Sequence, residues 1–272
     1  MTVLRFLLLS LLLSAPAIAS ARQAVAQDPD LDPRPPVLST HEPLYIIVGR
    51  RNETSAKLQL SFKYRLFDDE SALTQFLPLL GKLHFGYTQT SLWDIGGESA
   101  PFRDTSYRPR FFYHEDNFWR SPDGQQRLSF AAGVEHESNG RAGLDSRSIN
   151  VIFVRTRWRI NIGKDMYLVL WPKLISYFER SDNPDIAAYR GYGDLNMRLG
   201  KYDGIEASTT WRKGTQTMGS WQVDLTYPIR RRILADAGGF LHLQYFSGYG
   251  ESLLDYNLRR ASQIRLGFSI VR

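Results

Sequence analysis

The chain has 272 residues, a formal net charge of +6 at pH 7, 23% charged residues and no cysteine. The lack of cysteine excludes disulfides and thiolate metal sites. The basic residues are scattered and form no run interleaved with aromatics, so we expect no nucleic-acid partner.

The first segment has the composition of an export signal. Arg5 precedes an apolar run over residues 6–13, and small residues at Ala17, Ala19 and Ala21 suit a signal peptidase. The apolar run is shorter than the ~20 residues that a membrane-spanning helix needs. We therefore expect residues 1–21 to form a signal peptide, with cleavage possible between 19 and 26. The proline-rich, acidic residues 22–43 are expected to form an N-terminal periplasmic arm.

From residue 44 onward, apolar and polar residues alternate in a two-residue period, which is typical of strands with one apolar face. No later stretch approaches the length of a helical membrane span, so a membrane protein built from this chain requires a closed barrel. The segments give about twelve strands, an even number, as in bacterial barrels. They lie near residues 44–51, 56–67, 82–94, 107–115, 126–138, 148–160, 166–181, 191–200, 204–215, 221–227, 238–248 and 264–270.

The polar faces of these strands favour a membrane barrel over a soluble sandwich. Arg155, Arg157 and Arg159 share one face, and a dry sandwich core could not hold such charges, whereas a wet lumen could. Aromatic residues make up 13% of the chain, consistent with interfacial girdles. We predict an all-β fold, a transmembrane antiparallel β-barrel of about 12 strands over residues 44–272. A soluble sandwich remains the alternative.

Three polar residues fall on what should be the lipid-facing side of two neighbouring strands. His136 and Ser138 continue the even-numbered apolar register of the fifth strand, and Asn150 continues that of the sixth. With the N-terminus in the periplasm, both positions lie at the outer rim. Polar groups facing lipid are costly, so the cluster needs a purpose. We interpret Ser138 as a nucleophile, His136 as its base, and Asn150 as the group that orients the imidazole.

The block from His136 to Arg141, followed by residues 146–150, resembles the active-site block of the outer-membrane phospholipase A family. Residues 86–93, 99–103, 182–186 and 247–253 also resemble family segments in the right order, so the resemblance spans roughly 44–270. It implies a twelve-stranded barrel in the bacterial outer membrane with its active site at the outer leaflet. It also implies a calcium-dependent homodimer that hydrolyses the sn-1 and sn-2 acyl esters of phospholipids and lysophospholipids.

The resemblance also implies further site residues. The backbone oxygen of Arg141 and the hydroxyl of Ser146 correspond to calcium ligands from one subunit, and Ser99 corresponds to the ligand that the partner supplies. Gln89 corresponds to a polar contact at the dimer interface, although a glutamine near a strand end could simply reach lipid headgroups. A second serine is usual beside Ser99, but Ala100 stands there and removes one supporting oxygen.

Two other functions fit parts of the sequence. A non-catalytic outer-membrane barrel, structural or for passive transport, would share the fold but would have no need of three outward polar groups. A soluble secreted lipase would share the chemistry, but the Gly-x-Ser-x-Gly motif of common soluble lipases is absent around Ser138.

Overall fold

The structure, a computed structural model, describes residues 36–50, 54–229 and 239–272. The predicted signal peptide and most of the predicted N-terminal arm lie outside these residues. Twelve long strands follow one another along the chain: β1 Leu44–Arg50, β2 Thr54–Arg65, β3 Leu83–Trp93, β4 Phe102–Arg120, β5 Gln126–Ser138, β6 Ser148–Ile162, β7 Met166–Leu170 with Lys173–Glu179, β8 Gly193–Lys201, β9 Glu206–Lys213, β10 Gly219–Pro228, β11 Phe240–Gly248 and β12 Arg260–Val271.

The strands close into a single antiparallel barrel. Each strand pairs with the next one along the chain, and β12 pairs with β1 through Leu266 opposite Val48. Closure gives each of the twelve strands a neighbouring strand on both sides among the described residues, which is what strands in lipid require. The predicted twelve-stranded barrel is confirmed, and the sandwich alternative is excluded because one closed sheet replaces two packed sheets.

Two strands differ most clearly from the sequence-based prediction. β4 runs over Phe102–Arg120, far beyond the predicted 107–115. The predicted strand 166–181 consists of two segments separated by Trp171 and Pro172, and proline has no N–H for a ladder bond. The backbone stays satisfied at this break, because the Trp171 N–H donates to the Asn196 carbonyl at 3.0 Å.

Three short turns lie at one end of the barrel, and longer loops predominate at the other. Residues 121–125, 163–165 and 202–205 connect strands at the short-turn end, which bacterial barrels direct toward the periplasm. The same end also carries the long β2–β3 connection, residues 66–82, which contains the short helix α1 Ala72–Phe76 and the 3-10 turn Pro78–Lys82. The loops at the other end contain the 3-10 turn Gly143–Asp145 and the short helix α2 Ile186–Arg190. α1 begins after Ser71, whose hydroxyl accepts a bond from the Thr74 N–H at 3.2 Å. In the part of the chain that the structure describes, no helix has both the length and the apolarity to cross a bilayer.

The barrel wall is apolar outside and polar inside. Ile152 and Phe268 are each 52% exposed on the outer face, whereas Arg110 is only 2% exposed in the interior. Exposed tryptophans lie toward both rims, with Trp211 opposite Trp221 near one rim and Trp158 toward the other. Apolar residues thus face outward, the reverse of a soluble protein, and aromatic residues lie near the edges. This is the pattern of a protein that lipid surrounds.

The lumen is filled by paired polar groups rather than open. The Lys57 ammonium contacts both Gln244 at 3.1 Å and the Glu251 carboxylate at 3.6 Å. At the long-loop end, Ile186 and Leu253 are 0% exposed and form a small apolar cluster. The described residues therefore build a plugged barrel.

The residues before β1 close the short-turn end. Leu38–Ser39 pairs with the end of β2, and the chain then carries His41 and Glu42 against the interior. The Glu42 carboxylate accepts a bond from Arg110 at 2.9 Å and from Arg108 at 3.2 Å. The last residues of the predicted arm are thus joined to the barrel by ion pairs.

Candidate active site

His136 and Asn150 face each other across β5 and β6. The two residues are direct register partners, and the His136 Nδ1 lies 2.8 Å from the Asn150 Oδ1. An amide oxygen can only accept a hydrogen bond, so this contact places the proton on Nδ1. The Nε2 atom then carries the lone pair that a general base needs.

The pair lies on the outer, lipid-facing wall. Val134 precedes His136 in the same register and is 43% exposed, while Glu135 and Glu137, on the opposite face of β5, are 6% and 5% exposed. Ser138 shares the outward register and pairs with Ser148 at the rim. All three residues predicted for the triad therefore emerge on the same side of the barrel.

Ser138 is near His136 but is not bonded to it. The two residues are two positions apart on β5, a backbone separation of roughly 7 Å. No hydrogen bond joins their side chains among the described residues. Catalytic hydrogen bonds are often long before substrate binds, so this separation is compatible with a nucleophile and its base.

The interior holds β5 in place behind these residues. The Glu137 carboxylate, between His136 and Ser138 in sequence, accepts bonds from the Ser106 hydroxyl at 2.6 Å and from Arg190 at 3.0 Å. Glu135 accepts two bonds from Lys173, at 3.0 and 2.9 Å. Paired charges on the inner face thus fix the strand that presents polar groups on the outer face.

Asn139 organises the loop that follows Ser138. It is 4% exposed, and its amide donates to the Asp145 carbonyl at 2.8 Å while its Oδ1 accepts from the Arg147 N–H at 3.0 Å. Gly140 has φ +67°, a left-handed conformation that glycine adopts without cost. These contacts fold residues 139–147 back toward β6, which brings Ser146 near the rim.

A cluster of oxygens lies beside that loop. The Asp182 carboxylate accepts bonds from the Ser146 hydroxyl at 2.9 Å and from the Ser148 hydroxyl at 3.1 Å. Asp182 is not among the predicted site residues, because nothing in the local pattern links it to a loop 36 residues away. Hydroxyl, carbonyl and carboxylate oxygens are the ligands that Ca²⁺ prefers, so the donor types fit this ion.

Other kinds of metal site find no support among the described residues, where no three His, Cys, Asp or Glu side chains are grouped as metal ligands. The predicted ligands Arg141 and Ser146 lie in the β5–β6 loop. Ser99 lies in another loop, between β3 and β4.

The Ser99 loop has an unusual backbone. Ser99 has φ 59° and Ala100 has φ 41°, a conformation that is uncommon for residues other than glycine. The Trp93 indole N–H donates to the Ala100 carbonyl at 2.8 Å and ties the loop to the end of β3. Ser99 is exposed at the tip, where a second molecule could reach it.

Gln89 lies on the same outer wall. Its Oε1 accepts a bond from the Tyr87 hydroxyl at 3.0 Å, and its neighbours across the strands are Leu60 and Tyr107. Tyr107 in turn pairs with Ser138. Gln89 and Ser138 therefore lie at the same height on strands two apart, a separation of about 10 Å.

Comparison with known proteins bears on the fold and the site together. Residues 31–270 match the family described as Phospholipase A1. A Neisseria meningitidis relative, whose name also assigns it to phospholipase A1, is 34% identical over 220 residues, which cover 77% of this chain and 53% of that protein. Escherichia coli phospholipase A1 is 32% identical over 195 residues, covering 68% of this chain and 60% of its own length. The chain thus spans between half and two thirds of these relatives.

Solved structures agree with the barrel. An active-site mutant of outer membrane phospholipase A from E. coli has a TM-score of 0.72 and 25% identity, covering 91% of this chain and 95% of that chain. The Salmonella typhi outer membrane phospholipase, a dimer with bound calcium, has a TM-score of 0.71 and 27% identity, covering 89% and 95%. The resemblance expected from the sequence is confirmed, and the fold is that of an outer-membrane barrel.

Proposed function

We propose that this chain, which belongs to the phospholipase A1 family, hydrolyses the sn-1 and sn-2 acyl esters of phospholipids and lysophospholipids in the outer leaflet of the bacterial outer membrane. One observation carries the proposal. A hydrogen-bonded His136–Asn150 pair lies on the lipid-facing wall, with the hydroxyl-bearing Ser138 next in the same register. Substrate would reach this wall laterally from the membrane.

The first half of the reaction forms an acyl-enzyme. The Ser138 Oγ attacks the ester carbonyl as the His136 Nε2 takes its proton, and the Asn150 Oδ1 holds the ring through Nδ1–H. The tetrahedral intermediate then collapses. His136 gives its proton to the leaving glycerol oxygen, so a lysophospholipid departs and the fatty acyl group stays on Ser138.

The second half restores the enzyme. Water attacks the acyl carbonyl while His136 accepts its proton, and the proton returns to Oγ as a free fatty acid leaves. Asn150 is neutral, unlike the aspartate of most triads. It orients the imidazole without adding a charge to a lipid-facing site, and it stabilises the imidazolium less than a carboxylate would.

A calcium ion would compensate for that weaker stabilisation. The backbone oxygen of Arg141 and the hydroxyl of Ser146 are the proposed ligands from one subunit, with Ser99 supplied by the partner. When bound, the ion would favour negative charge on the ester oxygen. Asp182, which bonds Ser146 at 2.9 Å, would lend a full negative charge to this cluster of oxygens.

Dimerisation would complete the metal site and regulate activity. Gln89 is a polar group on the lipid-facing wall, about 10 Å from Ser138 at the same height, so two barrels joined along β3 would each bring a Ser99 loop near the other's site. A membrane-embedded amide gains from a partner amide, which favours this face for contact. A monomer would lack one calcium ligand and would be inactive.

The passive-transport alternative is weaker on structural grounds. Charged residues such as Glu251 and Arg265 have side chains only 2% and 4% exposed, and they form an ion pair with each other. A diffusion channel requires a water-filled interior. A plugged lumen and an outward polar cluster both favour chemistry on the outer wall over passage through the barrel.

The direct test is hydrolysis of phospholipid in mixed micelles by refolded protein. Ser138→Ala should abolish fatty-acid release while the protein keeps the heat-modifiable gel mobility of a folded barrel. Undiminished hydrolysis by this variant would reject Ser138 as the nucleophile.

A further inference from the structure

We propose that Glu179 is a positioning residue that selects the working orientation of the Asn150 carboxamide and, through it, the working tautomer of His136. This inference rests on the proposed function. It starts from one contact, the hydrogen bond from the Asn150 Nδ2 to the Glu179 Oε2 at 3.3 Å. The same carboxamide bonds His136 through its other end, at 2.8 Å.

A β-bulge brings Glu179 to this position. Along β6 and β7, Val151 is opposite Tyr177, but Asn150 is opposite Glu179, so Phe178 is the extra residue. In a regular ladder Phe178 would face Asn150. Bulges next to active sites redirect side chains. Here the bulge replaces an aromatic ring, which cannot accept a strong hydrogen bond, with a carboxylate.

The two oxygens of the Glu179 carboxylate accept hydrogen bonds from different partners. Oε1 accepts bonds from the Ser181 N–H at 2.7 Å and from the Ser181 hydroxyl at 2.5 Å, which fixes the carboxylate against the turn after β7. Oε2 remains for Asn150. Because the Ser181 bonds hold the Glu179 carboxylate in place, the carboxylate constrains the orientation of the Asn150 carboxamide.

The donors and acceptors of Glu179 determine the orientation of the Asn150 carboxamide, and that orientation determines the tautomer of His136. An ionised carboxylate only accepts, so the Asn150 NH₂ must face Glu179 and its oxygen must face His136. An oxygen there requires the proton on Nδ1, which leaves Nε2 free to take the Ser138 proton. If the carboxamide were reversed, its NH₂ would point at Nδ1, the ring proton would move to Nε2, and the imidazole could no longer act as base toward Ser138.

Glu179 acts through the geometry of its hydrogen bond to Asn150 rather than through the Coulomb effect of its charge on His136. The side chain is partly exposed to solvent, where a charge is strongly screened, so its Coulomb effect on His136 is small. The proposal therefore predicts that the activity depends on the acceptors that residue 179 offers, and that a side chain offering only donors lowers the activity most.

Three substitutions of Glu179 separate these possibilities in the folded protein. Glu179→Gln keeps one accepting oxygen, for which the Ser181 N–H and the Asn150 NH₂ compete, and should give intermediate activity. Glu179→Met removes the acceptor and should give intermediate activity. Glu179→Lys offers only donors and should lower kcat by about a hundredfold, at the low end of a general base's contribution, with little change in KM. Asp203→Lys, the same charge change at the other end of the barrel, is the matched control and should not differ from the parent.

The spectroscopic test is ¹⁵N NMR of protein labelled at its five histidines, with Glu179→Lys compared to the parent and His136→Ala used to identify the relevant signals. In the neutral imidazole, the parent should show the Nδ1–H tautomer and Glu179→Lys should show the Nε2–H tautomer. If Glu179→Lys keeps the parent tautomer and rate, the positioning role is wrong even where Ser138→Ala is inactive. If Ser138→Ala is active, the proposed function itself fails.

Discussion

Replacement of Asn150 by alanine should lower the rate of ester hydrolysis much less than replacement of His136 by alanine. Asn150→Ala removes one hydrogen bond of 2.8 Å from a part-buried ring. A net contribution of about 1 kcal/mol for such a bond corresponds to a rate loss of roughly fivefold. Loss of the preference for the Nδ1–H tautomer of His136 lowers the rate further. His136→Ala removes the base itself, a loss of about 10²–10⁴-fold. We therefore expect Asn150→Ala to keep at least several per cent of the activity and His136→Ala to keep almost none.

The assay is initial-rate fatty-acid release from phospholipid in mixed micelles at saturating calcium, with barrel folding checked for each variant by heat-modifiable gel mobility. Thr156→Ala is the matched control, because Thr156 is an exposed residue in the same outward register of β6 but lies away from the rim. It should match the parent. Equal losses for Asn150→Ala and His136→Ala would refute the reasoning, since an orienting amide cannot cost as much as the base it orients.

Three further predictions concern calcium and association. Asp182→Asn keeps an acceptor for Ser146 but removes the charge, so the calcium concentration for half-maximal activity should rise about tenfold, equivalent to about 1.4 kcal/mol; an unchanged calcium titration would remove Asp182 from the site. Gln89→Ala should weaken the dimer in sedimentation experiments more than Leu60→Ala on the same wall does, and the reverse order would argue against a polar interface. Chelation of calcium should suppress both turnover and the dimer, and a dimer that persists under chelation would contradict a shared metal site.

The sequence predicts the barrel and the side on which each site residue emerges. Strand periodicity is exactly two, so an apolar register such as that ending in Val134 determines the direction of His136 and Ser138 without knowledge of the tertiary structure. The pairing of β5 with β6 follows from their adjacency in a meander. For this reason the His136–Asn150 contact could be expected from the pattern alone.

Other features arise from irregularities that no local pattern encodes. The bulge at Phe178, which brings Glu179 opposite Asn150, depends on how β7 restarts after the break at Pro172 and on the turn that follows it. Asp182 reaches Ser146 across two loops, a contact set by tertiary structure. The left-handed backbone at Ser99 likewise could not be read from a residue type that usually avoids it.

The central claim is that an outward-facing serine and histidine hydrolyse membrane lipid. The most direct measurement is fatty-acid release from phospholipid micelles by the refolded parent and by Ser138→Ala, each with calcium and with a chelator. We predict release only by the parent with calcium. Release by Ser138→Ala equal to that of the parent, or none by a folded, calcium-loaded parent, would contradict the account.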